Sequence, residues 1–222
     1  GFNSQLKKTQ IAHYLLQETA DADVETTVNV LAILIDFNDL KHNDNGLSAN
    51  DTDMFYANYS PAHYNELLFS TSGFDGPSGQ NIESAYQYYQ HESGQKFFFT
   101  GQVKGWVTAE NNASYYGSND EETENDQNVK ALVVEAVTQL VANGLDLSPY
   151  DKTDLFDFDG DGNVNEPDGI IDHIMLFHAS IGEEAGGGNL AEDAIWSHRS
   201  FVLNDAGDQP ATIPGSEIKA FG

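Results

Sequence analysis

Residues 157 to 168, DFDGDGNVNEPD, hold five carboxylates, at Asp157, Asp159, Asp161, Glu166 and Asp168, with no Lys or Arg among them. Carboxylates crowded this closely repel one another unless a cation compensates them. Counted from Asp157, oxygen-bearing side chains fall at loop positions 1, 3, 5, 9 and 12, and Gly162 stands at position 6. That is the spacing of a calcium loop, in which a turn at the glycine folds alternate side chains around one hard cation. Read this way, the ligands are Asp157, Asp159, Asp161, Asn165 and Asp168 through their side chains and Asn163 through its backbone carbonyl. Val164, at position 8, is expected to anchor the loop on the core.

Two features set this loop apart from the helix–loop–helix form. Position 12 is Asp168 rather than Glu, one methylene shorter. The flanks also differ, because "SPYDKTDLF" is not an amphipathic helix and "GIIDHIMLF" reads as a strand. The expectation is a structural calcium site with a dissociation constant on the order of 10⁻⁴ to 10⁻³ M, as in extracellular modules. The plain alternative is a solvated acidic loop.

Other chemistry is harder to find. His91-Glu92 opens like a zinc-binding helix, but the second histidine is missing, since position 95 is Gln. His173 and His178 are five residues apart on an expected strand, so they should point to opposite faces and share no metal there. His13, His42 and His63 carry no pattern. There is no G-x-S-x-G elbow and no phosphate-binding loop, and the glycines of "AGGGN" (185–189) lie among Glu183, Glu184, Glu192 and Asp193, which would repel a phosphate. Trp196, His198 and Arg199 form a compact polar–aromatic group, and Arg199 is the chain's only arginine. It reads either as an ion-pairing group in an acidic protein or as a contact with substrate.

The formal net charge is −27, from 36 acidic and 9 basic residues over 222 positions. A nucleic-acid partner is not expected, because binding one needs a basic stripe to displace counterions. Anionic membrane surfaces are disfavoured in the same way, and Val30–Ile35, the longest apolar run, is too short to span a bilayer. Without cysteine the chain has no disulfide, no thiolate zinc site and no cysteine nucleophile. A start at Gly1 with no visible signal peptide reads as a processed or deliberately cut N-terminus.

The elements that must position the loop can be read around it. Gln5–Glu18 suggests a loosely amphipathic helix, within an N-terminal segment or linker spanning 1–27. "VNVLAILIDF" (28–37) reads as a strand buried on both faces at the centre of a helix-covered sheet. Ser60 and Pro61 open a short helix over 61–69, and "NIESAYQYYQHES" reads as a second, ended by Gly94. "KFFFTGQVKGWVTA" has the content of two strands meeting near Gly101. The helix over 128–143 carries apolar residues at i, i+3, i+4 and i+7, with Asp126 to cap it and Asn143-Gly144 to stop it. "IIDHIMLFHAS" is a further buried strand. The fold class expected is α/β, or α+β, around a mixed sheet covered by helices.

Several stretches together resemble the immune inhibitor A family of secreted bacterial zinc metallopeptidases, peptidase family M6. They are "LAILIDFND" (31–39), "SAYQYYQHESGQKFFFTGQVKGWV" (84–107), "YYG" (115–117) and, most densely, 157–188 with "AIWSHRS" (194–200). The resemblance implies a zincin-like catalytic domain exported from the cell, acting on protein or peptide substrates outside it, with residues 28–222 as its upstream portion. In such enzymes an H-E-x-x-H helix binds zinc and its glutamate activates water. That motif is absent from these 222 residues and is expected downstream, so the chain alone is expected to be inactive, with no catalytic residue of its own and the remainder of the domain as its partner. The competing reading is a non-catalytic, calcium-dependent extracellular binding module. Such modules carry two loops in tandem within a shorter domain, whereas one is present here.

Overall fold

Strand β1, Thr26–Asp36, is apolar on both faces, and Val30 to Ile35 are each at most 2% exposed. Such a strand needs a neighbour on each edge and a layer on each face. The computed structural model, which describes residues 25–44, 46, 48–50, 55–120 and 125–221, supplies all four. The helix expected over Gln5–Glu18 lies outside the described residues.

Helix α1 (Pro61–Phe69) starts at Ser60, whose side chain accepts the His63 N–H. A short antiparallel pair follows, β2 (Phe74–Asp75) with β3 (Asn81–Ile82). Helix α2 (Ala85–Glu92) begins with a capping box, Ser84 and Gln87 each accepting the other's backbone N–H. Strand β4 spans Phe97–Thr108. It is one strand, not the two expected to meet at Gly101. Gly101 marks a close approach instead: a Cβ there would stand 2.3 Å from the Val30 carbonyl oxygen and 2.6 Å from the Phe69 ring.

Next come α3 (Ala113–Gly117) and α4 (Val129–Ala142). Asn128, not Asp126, occupies the N-cap of α4, and no side chain caps it. The Asn143-Gly144 stop is as expected, with Gly144 at a φ of 90°. The expected strand over 170–180 divides at Asp172-His173 into β5 (Ile170–Ile171) and β6 (Ile174–His178). Strand β7 (Lys219–Ala220) pairs with β5.

The central sheet has the order β4-β1-β6, and both pairings are parallel. The expectation of a mixed sheet is thereby corrected, and the α/β alternative stands over α+β. Parallel neighbours require crossovers, and the helices supply them. Leu31, Ile33 and Ile35 pack on α4 through Leu132, Ala136 and Val137. Val30 and Ala32 face the other way, onto Leu68 of α1 and Phe99. Strand β6 continues the alternation, with Ile174 and Leu176 on the α4 side and Met175 and Phe177 on the α1 side. Its outer edge has no strand beside it among the described residues. Among the same residues, no helix is long and apolar enough to cross a membrane.

Candidate metal centre

The acidic loop leaves a 3-10 turn at Ser148–Tyr150 and returns to the sheet at β5. Neither flank is a long helix, as expected. Its base is fastened by two aspartates outside the twelve-residue count. Asp151 accepts the N–H groups of Asp168 and Gly169, and Asp172 accepts those of Lys152 and Thr153 together with the Thr153 hydroxyl. Between these staples the chain turns through successive Asx contacts: Asp159 accepts the Asp161 N–H, Asp161 that of Asn163, and Asn163 that of Asn165. Gly162, at position 6, has a φ of 86°, which the sharp turn requires. Asp157 accepts its N–H across the loop at 3.0 Å.

Two sets of carboxylates converge: Asp154, Asp157 and Asp159 in one, Asp159, Asp161 and Glu166 in the other, each set with one oxygen per residue within 4.8 Å of the rest. Of the expected ligands, Asp157, Asp159 and Asp161 are therefore brought together. Glu166 joins them and also accepts from the Asn163 side-chain amide at 2.8 Å. Asn163 and Asn165 lie along the loop rim, both exposed. Asp168 is in neither set. It lies at the loop base, where burial, with Asp154, Asp151 and Asp172 facing it, pushes its pKa up to about 7 against the Ile170 N–H it accepts. Val164 does not anchor the loop on the core, since it is 37% exposed. Its carbonyl holds the loop instead, accepting the Asp154 N–H at 3.1 Å.

Asp154 is the residue that the loop spacing did not predict. It is 2% exposed, and its Oδ2 accepts the Phe158 N–H at 2.7 Å. Its Oδ1 is buried with no hydrogen-bond partner. A buried carboxylate oxygen without a donor costs several kcal/mol, roughly, unless a cation meets it. The aspartates at 151, 154 and 157, three residues apart, were the only sequence signal that the acidic cluster begins before Asp157. All donors here are oxygens, which suits a hard cation such as calcium and not zinc.

A second feature lies along the free edge of β6. A groove of about 720 Å³ runs there, bordered by β6 itself, Tyr64 and Tyr89 on one side and Val133 and Trp196 on the other. His173 and His178 both border it, at opposite ends of β6, and they form no metal-binding group. Burial lowers the His178 pKa against the pull of Glu184, and its Nδ1 lies 2.7 Å from the Ser180 hydroxyl. Trp196, His198 and Arg199 also border the groove, and all three are exposed. Three anchors hold this segment: the Trp196 N–H on Asp126, and the Ser197 N–H and hydroxyl on Glu184.

Other histidines are accounted for structurally. His91 contacts Glu83 at 2.5 Å. His42 stacks on Trp106, with centroids 4.3 Å apart, and bonds Asp36 at 2.8 Å. His63 sits among Tyr56, Tyr64 and Phe74, where burial lowers its pKa. His13 lies outside the described residues.

A family model described as immune inhibitor A peptidase M6, catalytic domain, matches residues 17–221. The chain is 52% identical over 180 residues to the pre-pro-metalloprotease PrtV of two Vibrio cholerae serotype O1 strains, an alignment covering 81% of this chain and 20% of that protein. It is 37% identical over 206 residues to immune inhibitor A of Bacillus thuringiensis subsp. alesti, covering 91% of this chain and 29% of that protein. The chain thus spans between a fifth and a third of the length of these relatives.

Proposed function

The chain belongs to the immune inhibitor A peptidase M6 family, and from that membership we propose that it forms the upstream portion of the catalytic domain of an exported, zinc-dependent endopeptidase. The match of the catalytic-domain family over residues 17–221 carries this reading. Residues 28–222 are taken as the domain portion and 1–27 as its leading segment. Unfolded protein outside the cell is the substrate class.

The described residues do not make a zinc site. These 222 residues contain no H-E-x-x-H, and among the described residues the converging donors are carboxylates alone. The zinc ligands and the general base belong, on this reading, to the remainder of the domain, which would also close the far side of the groove beside β6. By itself the chain is inactive.

Calcium fits where zinc does not. The unpartnered, buried Asp154 Oδ1 supports a site built on Asp154, Asp157, Asp159 and Asp161, with Glu166, Asn163, Asn165 and Asp168 as the remaining oxygen donors. Its role is structural: the ion offsets the carboxylate repulsion and fixes the entry to β5 and β6.

The test of the peptidase reading uses the full-length protein, freed of any pro-segment and loaded with zinc. Casein cleavage that stops with a zinc chelator and returns with zinc is the expected result. An inert, folded, zinc-loaded protein would overturn it.

A further inference from the structure

The segment after Trp196 carries a histidine whose ring is held from behind. His198 Nδ1 lies 2.7 Å from the Trp196 carbonyl oxygen. A carbonyl only accepts, so Nδ1 carries the hydrogen, and Nε2 is the ring nitrogen left over. Behind the same nitrogen, Asp126 Oδ2 stands 3.8 Å away, on a side chain only 3% exposed. Asp126 Oδ1 is buried with no hydrogen-bond partner. Burial, with Glu183 and Glu184 nearby, raises the Asp126 pKa, and the Trp196 N–H and His198 offset part of this.

This arrangement is not needed by α4, whose start Asp126 does not cap. Instead, an almost inaccessible carboxylate is spent on the backbone of Trp196 and on the ring of His198. Nor does the ring fill the core, since the His198 side chain is 37% exposed and borders the groove. A carboxylate behind an imidazole fixes its orientation and compensates a positive ring, so that Nε2–H becomes a strong, directed donor.

We propose that His198 contacts substrate in this groove, donating Nε2–H to a main-chain carbonyl of an extended peptide, with Asp126 as its positioning residue. The inference rests on the peptidase reading above. Among the described residues, the charged and titratable groups around it are Asp126 before α4, Glu183 and Glu184 on the adjoining turn, Arg199 beside it and His178 at the end of β6. Peptide binding through a protonated ring is stronger at low pH than at high. Loss of the Asp126 charge weakens that binding.

The experiment measures binding apart from cleavage. Full-length protein stripped of zinc is titrated with fluorescently labelled casein between pH 5.5 and 8.5, and anisotropy reports the affinity. His198→Gln, whose amide can still donate to the Trp196 carbonyl, is expected to bind about tenfold more weakly at pH 6, the worth of one charge-assisted hydrogen bond. It should also lose the part of the pH dependence that the unaltered protein has over it. Asp126→Asn should keep that dependence but bind more weakly than the unaltered protein at pH 6, and thermal midpoints should confirm that both variants are folded. Equal binding by the unaltered protein and a folded His198→Gln variant, or an unchanged pH profile, overturns the proposal. Casein cleavage after zinc loading separates the two failures: if cleavage persists, only the role of His198 falls; if the unaltered protein neither binds nor cleaves, the peptidase reading falls with it.

Discussion

Phe158, the second residue of the acidic loop, meets Phe221 edge-on, with ring centroids 6.3 Å apart. Phe221 in turn stacks on Phe201, centroids 4.7 Å apart, and Phe156 touches all three rings. Phe201 closes the segment that begins at Trp196, and the Phe221 carbonyl accepts the N–H of Val202 at 2.6 Å. One aromatic cluster therefore joins the acidic loop to the wall of the groove.

Phe221→Ala should uncouple the two. The ring is 6% exposed, and its removal should destabilise the protein by about 3 kcal/mol in denaturant unfolding. It should also raise the calcium concentration at which half of the thermal stabilisation is reached, because Phe158 loses its support. A variant with unchanged calcium dependence would show that the loop stands independently of the cluster.

The elements that were readable in the sequence are those whose signal is local. Strand β1 announces itself as an unbroken apolar run, and α1 by Ser60-Pro61. The heptad-like spacing of α4 gave its span to within a residue. What depended on distant partners was not readable. Gly101 looks like a turn residue, yet it sits inside β4 because the Val30 carbonyl and the Phe69 ring leave no room for a side chain. The parallel sense of the sheet follows from crossovers that no single strand encodes. Asp126 resembles a helix cap but serves Trp196 and His198, seventy residues and more away. Asp154 escaped the calcium-loop count because it precedes position 1, and only folding turns its carboxylate under the loop.

Gly101→Ala tests the close approach directly. The new methyl would meet backbone, which cannot swing aside as a side chain can. A loss of about 2 kcal/mol or more in unfolding free energy is expected, from overpacking between β1 and β4. Gly79→Ala, where a Cβ meets nothing within 4 Å but φ is 78°, serves as a comparison limited to backbone strain. Gly101→Ala losing less than Gly79→Ala would refute the packing argument.

Asp36 makes a prediction about acid. It lies at the end of β1, 3% exposed, and burial works to raise its pKa. Hydrogen bonds from Thr108, His42 and Lys41 outweigh burial and hold it below the ordinary carboxylate value. A depressed folded pKa contributes stability above the unfolded value and loses it as pH falls through the folded one. Asp36→Asn should therefore destabilise the protein by about 2 kcal/mol at pH 7, and the gap to the unaltered protein should narrow below roughly pH 4. A gap that widens in acid would reverse the sign and refute the assignment.

The proposed calcium site of Asp154 and the loop carboxylates predicts a calcium-dependent stability. The most direct measurement is the thermal midpoint of the full-length protein and its Asp154→Asn variant, each in saturating calcium and in chelator. For the unaltered protein, calcium at a hundred times the dissociation constant should add about 2.7 kcal/mol. Asp154→Asn should be no less stable in chelator, because it removes a buried charge with one unpartnered oxygen, and it should lose most of the calcium response. Asp161→Ala should lose the response as well, whereas Asp120→Ala, outside the loop, should keep it. Equal calcium responses in the unaltered protein and the Asp154→Asn variant would contradict the site.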